Sequence, residues 1–260
     1  MFEVAHDLRA TVRSFLRRPT SPLVAVAILS LGLAAAIAVI TYVNGFYQPF
    51  PGVDADGLVM IHGVEAEEPF QQISYPDFLD YAAACVAPDA PGGSGAFEGL
   101  AAVQPFFAAS VRLEKTTEVA FLEAVSGGFF SVLGVETRLG RGLAPADDRP
   151  EADPVAVLSY RWWQRTFAGD PAVIGSTVYL NNRPFTVVGV ASPAFQGSVS
   201  GFRPDVWIPV APFRDRYTRW AARAENRDEP LVRVYGRLRP GFGEKQAQTE
   251  LAAVTARLEQ

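Results

Sequence analysis

From Leu23 to Val43 the chain reads LVAVAILSLGLAAAIAVITYV, and no charged residue occurs between Arg18 and Asp54. A bilayer's hydrocarbon core needs ~20 apolar residues in helix, and a buried soluble helix of that length would show a polar face. The run therefore predicts a transmembrane helix over 20–46. A signal peptide is the rival reading, but its apolar core is usually ~7–15 residues, and Asn44-Gly-Phe-Tyr offers no small-x-small cleavage site. Before the run, Val4, Leu8, Val12, Phe15 and Leu16 recur at helical spacing, with Arg9, Arg13 and Arg17 four apart on another side. This predicts an amphipathic basic helix within 1–19, suited to an anionic membrane surface and separated from the span by Pro19 and Pro22.

After Pro49 the period changes. Leu58–Val64 is a short apolar run expected to be a buried strand. Ser74-Tyr-Pro-Asp carries a helix cap and a first-turn proline, and Phe78, Leu79, Tyr81 and Ala82 supply the apolar face. Residues 87–95 are loop by composition. Ala109–Leu113 and Glu118–Val125 alternate as a hairpin, and Phe129–Leu133 is a short helix stopped by Gly134. Pro154–Leu158 is a strand, and Ser159 caps a helix holding Trp162, Trp163 and Phe167. Val173–Leu180 and Pro184–Val190 flank the turn Asn181-Asn-Arg. Val206–Val210 and Leu231–Leu238 are strands, and Lys245–Leu258 is a final amphipathic helix. The fold class expected is α+β: one N-terminal transmembrane helix, then a layered α/β subdomain from 47–137 plus 213–260, with 138–212 inserted as a second, β-rich subdomain.

Charge orients the span. Residues 1–18 carry +2, with Arg9, Arg13, Arg17 and Arg18 against Glu3 and Asp7, whereas the whole chain carries −5. The first basic residue after the span is Arg112. Excess arginine marks the cytoplasmic side, so 47–260 is expected outside, with Tyr42, Phe46 and Tyr47 at the outer interface. Ser30, Gly32, Ala34, Ala36 and Ala38 thin part of the helix, and Gly32 and Ala36 are four apart, as close packing in lipid requires. The acidic balance argues against nucleic acid as partner.

Chemistry is sparse. Cys85 is the one cysteine, which rules out an intrachain disulfide and is expected to be a small buried hydrophobe or a loop residue. His6 and His62 fall on opposite sides of the predicted membrane, against a histidine triad or zinc site. Ser126-Gly-Gly is no nucleophile elbow. Gly241-Phe-Gly-Glu-Lys-Gln lacks the gap and the hydroxyl residue of a P-loop. Asp147, Asp148, Glu151 and Asp153 form an acidic stretch without the spacing of a calcium loop, expected to be solvated. Trp162 and Trp163, adjacent on a helix, are not expected to share one face: one is expected in the core, the other over an interface or against the next strands. No catalytic, metal or cofactor site is nominated, which points to a binding, structural or mechanical role.

Several segments, in order, resemble the permease subunits of MacB/FtsX-type ABC transporters, particularly the duplicated orphan permeases of acidobacteria. They are Asp7-Leu-Arg through Val12-Arg-Ser-Phe-Leu-Arg-Arg-Pro, Ser74-Tyr-Pro-Asp-Phe-Leu-Asp, and Val125-Ser-Gly-Gly-Phe-Phe-Ser-Val-Leu-Gly-Val. Leu139-Gly-Arg-Gly, Pro154-Val-Ala-Val-Leu-Ser-Tyr through Trp163-Gln-Arg-Thr-Phe-Ala-Gly-Asp-Pro, and Pro184-Phe-Thr-Val-Val-Gly-Val-Ala follow. The resemblance implies a MacB-like periplasmic core domain anchored in the bacterial inner membrane. It also implies a separate ABC ATPase, further permease helices or a second permease copy, possible contact with a periplasmic adaptor, and no bond chemistry in the permease itself. The sequence ends at Gln260 without the later helices, so it is expected to be the N-terminal portion of such a permease or a truncated form. Two rivals stay open: a single-pass binding or sensor module, and an anchored hydrolase.

Overall fold

The computed structural model describes residues 20–47, 50–63, 71–86, 95–112, 117–199, 201–211 and 223–258. The basic helix expected within 1–19, with Arg9, Arg13, Arg17 and Arg18, lies outside the described residues, as do most of the 87–95 loop and the hairpin turn at 114–116. The chain divides into two units, Met1–Gln48 and Pro49–Gln260.

The described residues of the first unit form a helix, α1 (Thr20–Tyr47, 28 residues). Pro22 falls in its first turn, where a missing N–H costs nothing. The Ser30 hydroxyl donates to the Ala27 carbonyl at 3.0 Å, so this polar group is satisfied within the helix. Its aliphatic side chains lie open, Leu29 and Leu31 being 73 % and 74 % exposed, and Gly32 has open space where a Cβ would stand. Among the described residues no helix is long and apolar enough to cross a membrane.

The second unit is mixed α+β. Among the described residues its strands and α-helices are β1 (Leu58–Ile61), α2 (Tyr75–Cys85), β2 (Phe97–Arg112), β3 (Thr117–Val125), α3 (Phe129–Val132), β4 (Thr137–Gly140), β5 (Val155–Leu158), α4 (Tyr160–Phe167), β6 (Thr177–Leu180), β7 (Arg183–Ala191), β8 (Val206–Pro209), β9 (Arg233–Leu238) and α5 (Glu244–Leu258). One nine-stranded sheet runs β1-β9-β2-β3-β8-β5-β7-β4, and β6 joins β7 back to the far end of β2. β2, β3, β8, β5, β7 and β6 therefore close a ring. β3 and β8 pair in parallel, as do β5 and β7; the other pairings are antiparallel. Strands from 138–212 and from the flanking segments share this sheet.

Local chemistry explains most elements. Ser74 Oγ accepts from the Asp77 N–H at 3.1 Å and donates to its carboxylate at 2.6 Å, closing the first turn of α2 with Pro76 inside it. Ser74→Ala is expected to cost about 1 kcal/mol, the usual value of a cap, read as a lower urea midpoint with an unchanged slope. Ser159 caps α4 through the Trp162 N–H at 3.2 Å. Asn181 and Asn182 both take positive φ, 48° and 61°, the requirement of a tight primed hairpin turn. Asn181 also accepts from the Ser110 N–H at 2.8 Å, tying this hairpin to β2. β2 begins well before the predicted Ala109. Its first half pairs with β9, and a bulge between Gln104 and Phe107 shifts the register. Pro105, with no N–H for the ladder, falls inside the bulge and breaks the alternation.

Apolar clusters lie on both faces of the sheet. The larger joins the inward residues of the ring, such as Val111, Leu122, Leu158, Val178 and Phe185, to α2, α4 and α5. The smaller is aromatic and lies on the opposite face: Phe129, Phe130, Phe195, Trp207 and Tyr235, with Phe50 and Val53 against it. Trp162 and Trp163 are both buried, at 0 % and 6 % exposure. The turn after α4 wraps Trp163, whose indole N–H donates to the Asp170 carbonyl at 2.9 Å.

Candidate functional site

The described part of the folded unit begins with a connector, residues 50–57. β9 fastens this connector through one side chain. Arg237, 12 % exposed, donates from Nε to the Val132 carbonyl at 2.8 Å and from Nη2 to the Asp54 carbonyl at 2.8 Å. Its Nη1 reaches the Asp56 carbonyl and, at 3.2 Å, the Asp54 carboxylate. A planar five-donor guanidinium can serve several carbonyls at once where an ammonium cannot. The Asp54 N–H completes the clamp by donating to Leu133 O at 3.0 Å, just before Gly134, whose φ of +64° ends the α3 turn.

Two further contacts carry the connector inward. The Phe50 ring meets Tyr235 edge-on with centroids 6.2 Å apart. Gly52, at φ +77°, lies so close to the next layer that a Cβ there would stand 2.5 Å from the Phe195 nitrogen. Phe195 belongs to a strap, residues 192–199, that beyond Ser192 crosses the sheet without joining it and stacks on Trp207 at 5.1 Å.

Under the strap lies Glu123 of β3, fully buried. Trp207 Nε1 donates to it at 2.7 Å, the Ser198 hydroxyl donates at 3.3 Å, and the Tyr235 hydroxyl donates to the Ser198 carbonyl at 2.8 Å. Burial pushes the carboxyl up to about 7, against the pull of Trp207, Ser198 and the positive charge of Arg233. Tyr235 is likewise pushed up by burial, to about 12. Connector, strap and buried carboxyl thus form one contiguous seam on one face of the sheet.

Several residues singled out from sequence have partners within the fold. Asp147 is paired with Arg141 at 2.5 Å and accepts the Ala144 N–H at 2.8 Å. Burial opposes its charge, but those partners hold its carboxyl below the usual range. Asp148, half-buried, with its carboxyl pushed up by desolvation, accepts the Gly127 and Ala211 N–H groups at 3.0 and 2.7 Å. It joins the turn after β3 to the end of β8. Half of the acidic stretch is therefore not solvated, because backbone N–H groups needed acceptors there. Among the described residues no three His, Cys, Asp or Glu side chains gather as a metal site would require. Cys85 is buried and its thiol is raised to about 11 by burial. Ser126 Oγ accepts the Ala102 N–H at 2.9 Å, and Gln246 accepts the Gly243 N–H at 2.9 Å, so the glycine-rich stretch is the start of α5. His62 lines an open groove of about 720 Å³ with Gln71, Asp77, Tyr81, Arg227 and Thr255. Arg227 bridges Asp77 and Asp80 there at 2.5 and 2.6 Å.

Sequence reasoning missed Glu123, Arg237 and Asp148 as organising residues. Glu123 had one visible signal, a charge inside the apolar run Ala120–Val125.

A sequence profile of the MacB-like periplasmic core domain matches residues 23–254. A search of curated protein sequences found no match. Among solved structures, the periplasmic region of MacB from Actinobacillus actinomycetemcomitans is similar at 16 % identity and a TM-score of 0.56, covering 80 % of this chain and 86 % of that one. A domain of a protein assigned as a permease from Porphyromonas gingivalis is similar at 20 % identity and a TM-score of 0.53, covering 81 % and 84 %. The seam is thus built on a fold shared with periplasmic parts of transport proteins, and the chain belongs to the MacB-like periplasmic core domain family, the periplasmic domain of ABC-type transporter permeases.

Proposed function

We propose that this chain is the N-terminal part of a permease subunit that anchors its folded domain in the inner membrane and couples cytoplasmic ATPase-driven motion to handling of a substrate or adaptor in the periplasm. The observation that carries this is the Arg237 clamp. The first chain segment after α1 is tied by one side chain to β9, α3 and the connector's own carbonyls, so displacement of the connector loads the sheet rather than a slack linker. α1 is about 42 Å long at 1.5 Å per residue, against a hydrocarbon core of ~30 Å, and Leu23–Val43 carries no charge. In this reading α1 spans with its N-terminus in the cytoplasm and residues 47–260 outside. Arg9, Arg13, Arg17 and Arg18 lie along the inner leaflet, where they meet lipid headgroups and the separate ATPase. Gly32 and Ala36 pack against further permease helices or a second permease copy. The division into 47–137 plus 213–260 and an inserted 138–212 is retained as a proposal for how the load is shared.

Topology is tested by fusing alkaline phosphatase, active only outside the cytoplasm, after Gln260. The wild-type fusion is expected to be active, and Leu33→Arg to lose most of that activity, since an arginine at a helix centre costs ~2.5–3.5 kcal/mol on insertion scales. Reversal of Arg9, Arg13 and Arg17 to Glu is expected to disturb orientation and to abolish co-purification with an ATPase. An inactive phosphatase fusion beside an active cytoplasmic reporter at the same site would refute the reading.

A further inference from the structure

We propose that the strap over residues 192–199 is a proton-dependent cover on Glu123, closed while the carboxyl holds its proton and opening to water when the proton leaves. This goes beyond the coupling reading and does not depend on it.

The geometry carries the inference. Glu123 is fully buried, and among the described residues it forms no ion pair. Among the described residues the groups facing it are the Trp207 indole from β8, Ser198 from the strap, and Tyr235 and Arg233 from β9, and Arg233 is the charged group acting on it. The protonated form is satisfied in the closed state, because one oxygen keeps the Trp207 N–H while the acid proton is donated to the Ser198 hydroxyl oxygen. The ionised form keeps the Trp207 indole, the Ser198 hydroxyl and the Ser198 backbone N–H as donors but holds a net charge away from water, the costly state for a buried group.

The strap is the element that can relieve that cost. Beyond Ser192, whose N–H continues the β4–β7 ladder, it contributes no rung to the sheet. Among the described residues its ties are the Ser192 N–H to the Glu136 carbonyl at 3.0 Å and the Phe202 N–H to the Val199 carbonyl at 3.1 Å, Ser198 to Glu123 and Tyr235, the packing of Phe195 on Phe129, Phe130 and Trp207, and the close approach of Gly52. Gly197, at φ +109°, gives it a joint that other residues rarely adopt. Lifting it admits water to Glu123 and leaves the strands paired.

The sign follows from linkage. Closed, the carboxyl titrates near 7; open, it returns to its ordinary value near 4.5. The closed form binds the proton more tightly, so its advantage is complete at low pH and is lost as pH rises through that window. Between pH 5 and 8 the opening equilibrium is expected to rise about 50- to 100-fold.

Hydrogen exchange on the full chain in detergent tests this. Protection factors are corrected for intrinsic exchange at each pH. Those of the peptide spanning Phe195–Val199 are expected to fall about 50- to 100-fold from pH 5 to 8, while peptides from β5 and β7 stay level. In Glu123→Gln, which cannot ionise, the fall is expected to vanish. A level strap in the wild type overturns the proposal, and so does an equal fall in β5 and β7, which would mark global loosening. An unchanged fall in Glu123→Gln also overturns it. If that variant does not fold, the wild-type contrast between strap and core decides alone.

Discussion

Arg237→Met is expected to destabilise the folded unit by about 3–5 kcal/mol, near the upper end for a single substitution. The guanidinium serves the carbonyls of Val132, Asp54 and Asp56 together with the Asp54 carboxylate. Hydrogen bonds to a charged donor are worth about 1.5–3 kcal/mol each and do not add fully. Methionine keeps much of the apolar stem but supplies no donor, so these acceptors lose their partner together. The effect should concentrate at the connector: amide exchange across Val53–Leu58 should accelerate more than across β5 or β7. Arg237→Lys should recover part of the loss, since an ammonium supplies three donors without the planar fork. If Met at 237 proves neutral in urea melts, or loosens β5 as much as the connector, the clamp is not what holds the connector to the sheet.

Gly52→Ala is expected to cost more than about 3 kcal/mol, from two sources. A left-handed backbone costs an L-residue roughly 1–2 kcal/mol. The new Cβ would then meet backbone atoms, at 2.5 Å from the Phe195 nitrogen and 2.6 Å from the Ala194 carbonyl carbon, where no side chain can swing away. Connector and strap must separate to admit it. Gly241→Ala is the control: φ is +89° but no atom lies within 4 Å of the added carbon, so only the roughly 1–2 kcal/mol backbone share should appear. Equal losses in the two variants would mean that the approach of Gly52 to the strap carries no energy.

Much of the architecture was legible where local chemistry is self-sufficient. Ser74 and Ser159 announce helices because a capping oxygen acts within three residues, and Asn181-Asn182 announces a hairpin because asparagine tolerates positive φ. β2 was underestimated because its first half draws its partners from β9, over a hundred residues later, and because Pro105 conceals the period. Of the seam, little was visible. Arg237 sits in a strand among other arginines, and nothing in its neighbours shows that its partners are the carbonyls of residues 54, 56 and 132. Asp147 and Asp148 appeared as one acidic stretch, whereas the fold gave each its own partners.

By itself the sequence determined the apolar run Leu23–Val43 with its arginine flank, the order of most elements, and the family. These follow from hydrophobic period, caps and turn residues, whose effects reach only a few positions along the chain. Tertiary structure alone decided that residues 138–212 share a sheet with their flanks, that both tryptophans of α4 are core, and that Glu123 is enclosed beneath a strap. Those outcomes depend on which distant groups meet once the ring of strands closes, and on burial there, which turns an ordinary carboxyl into one that titrates near neutrality.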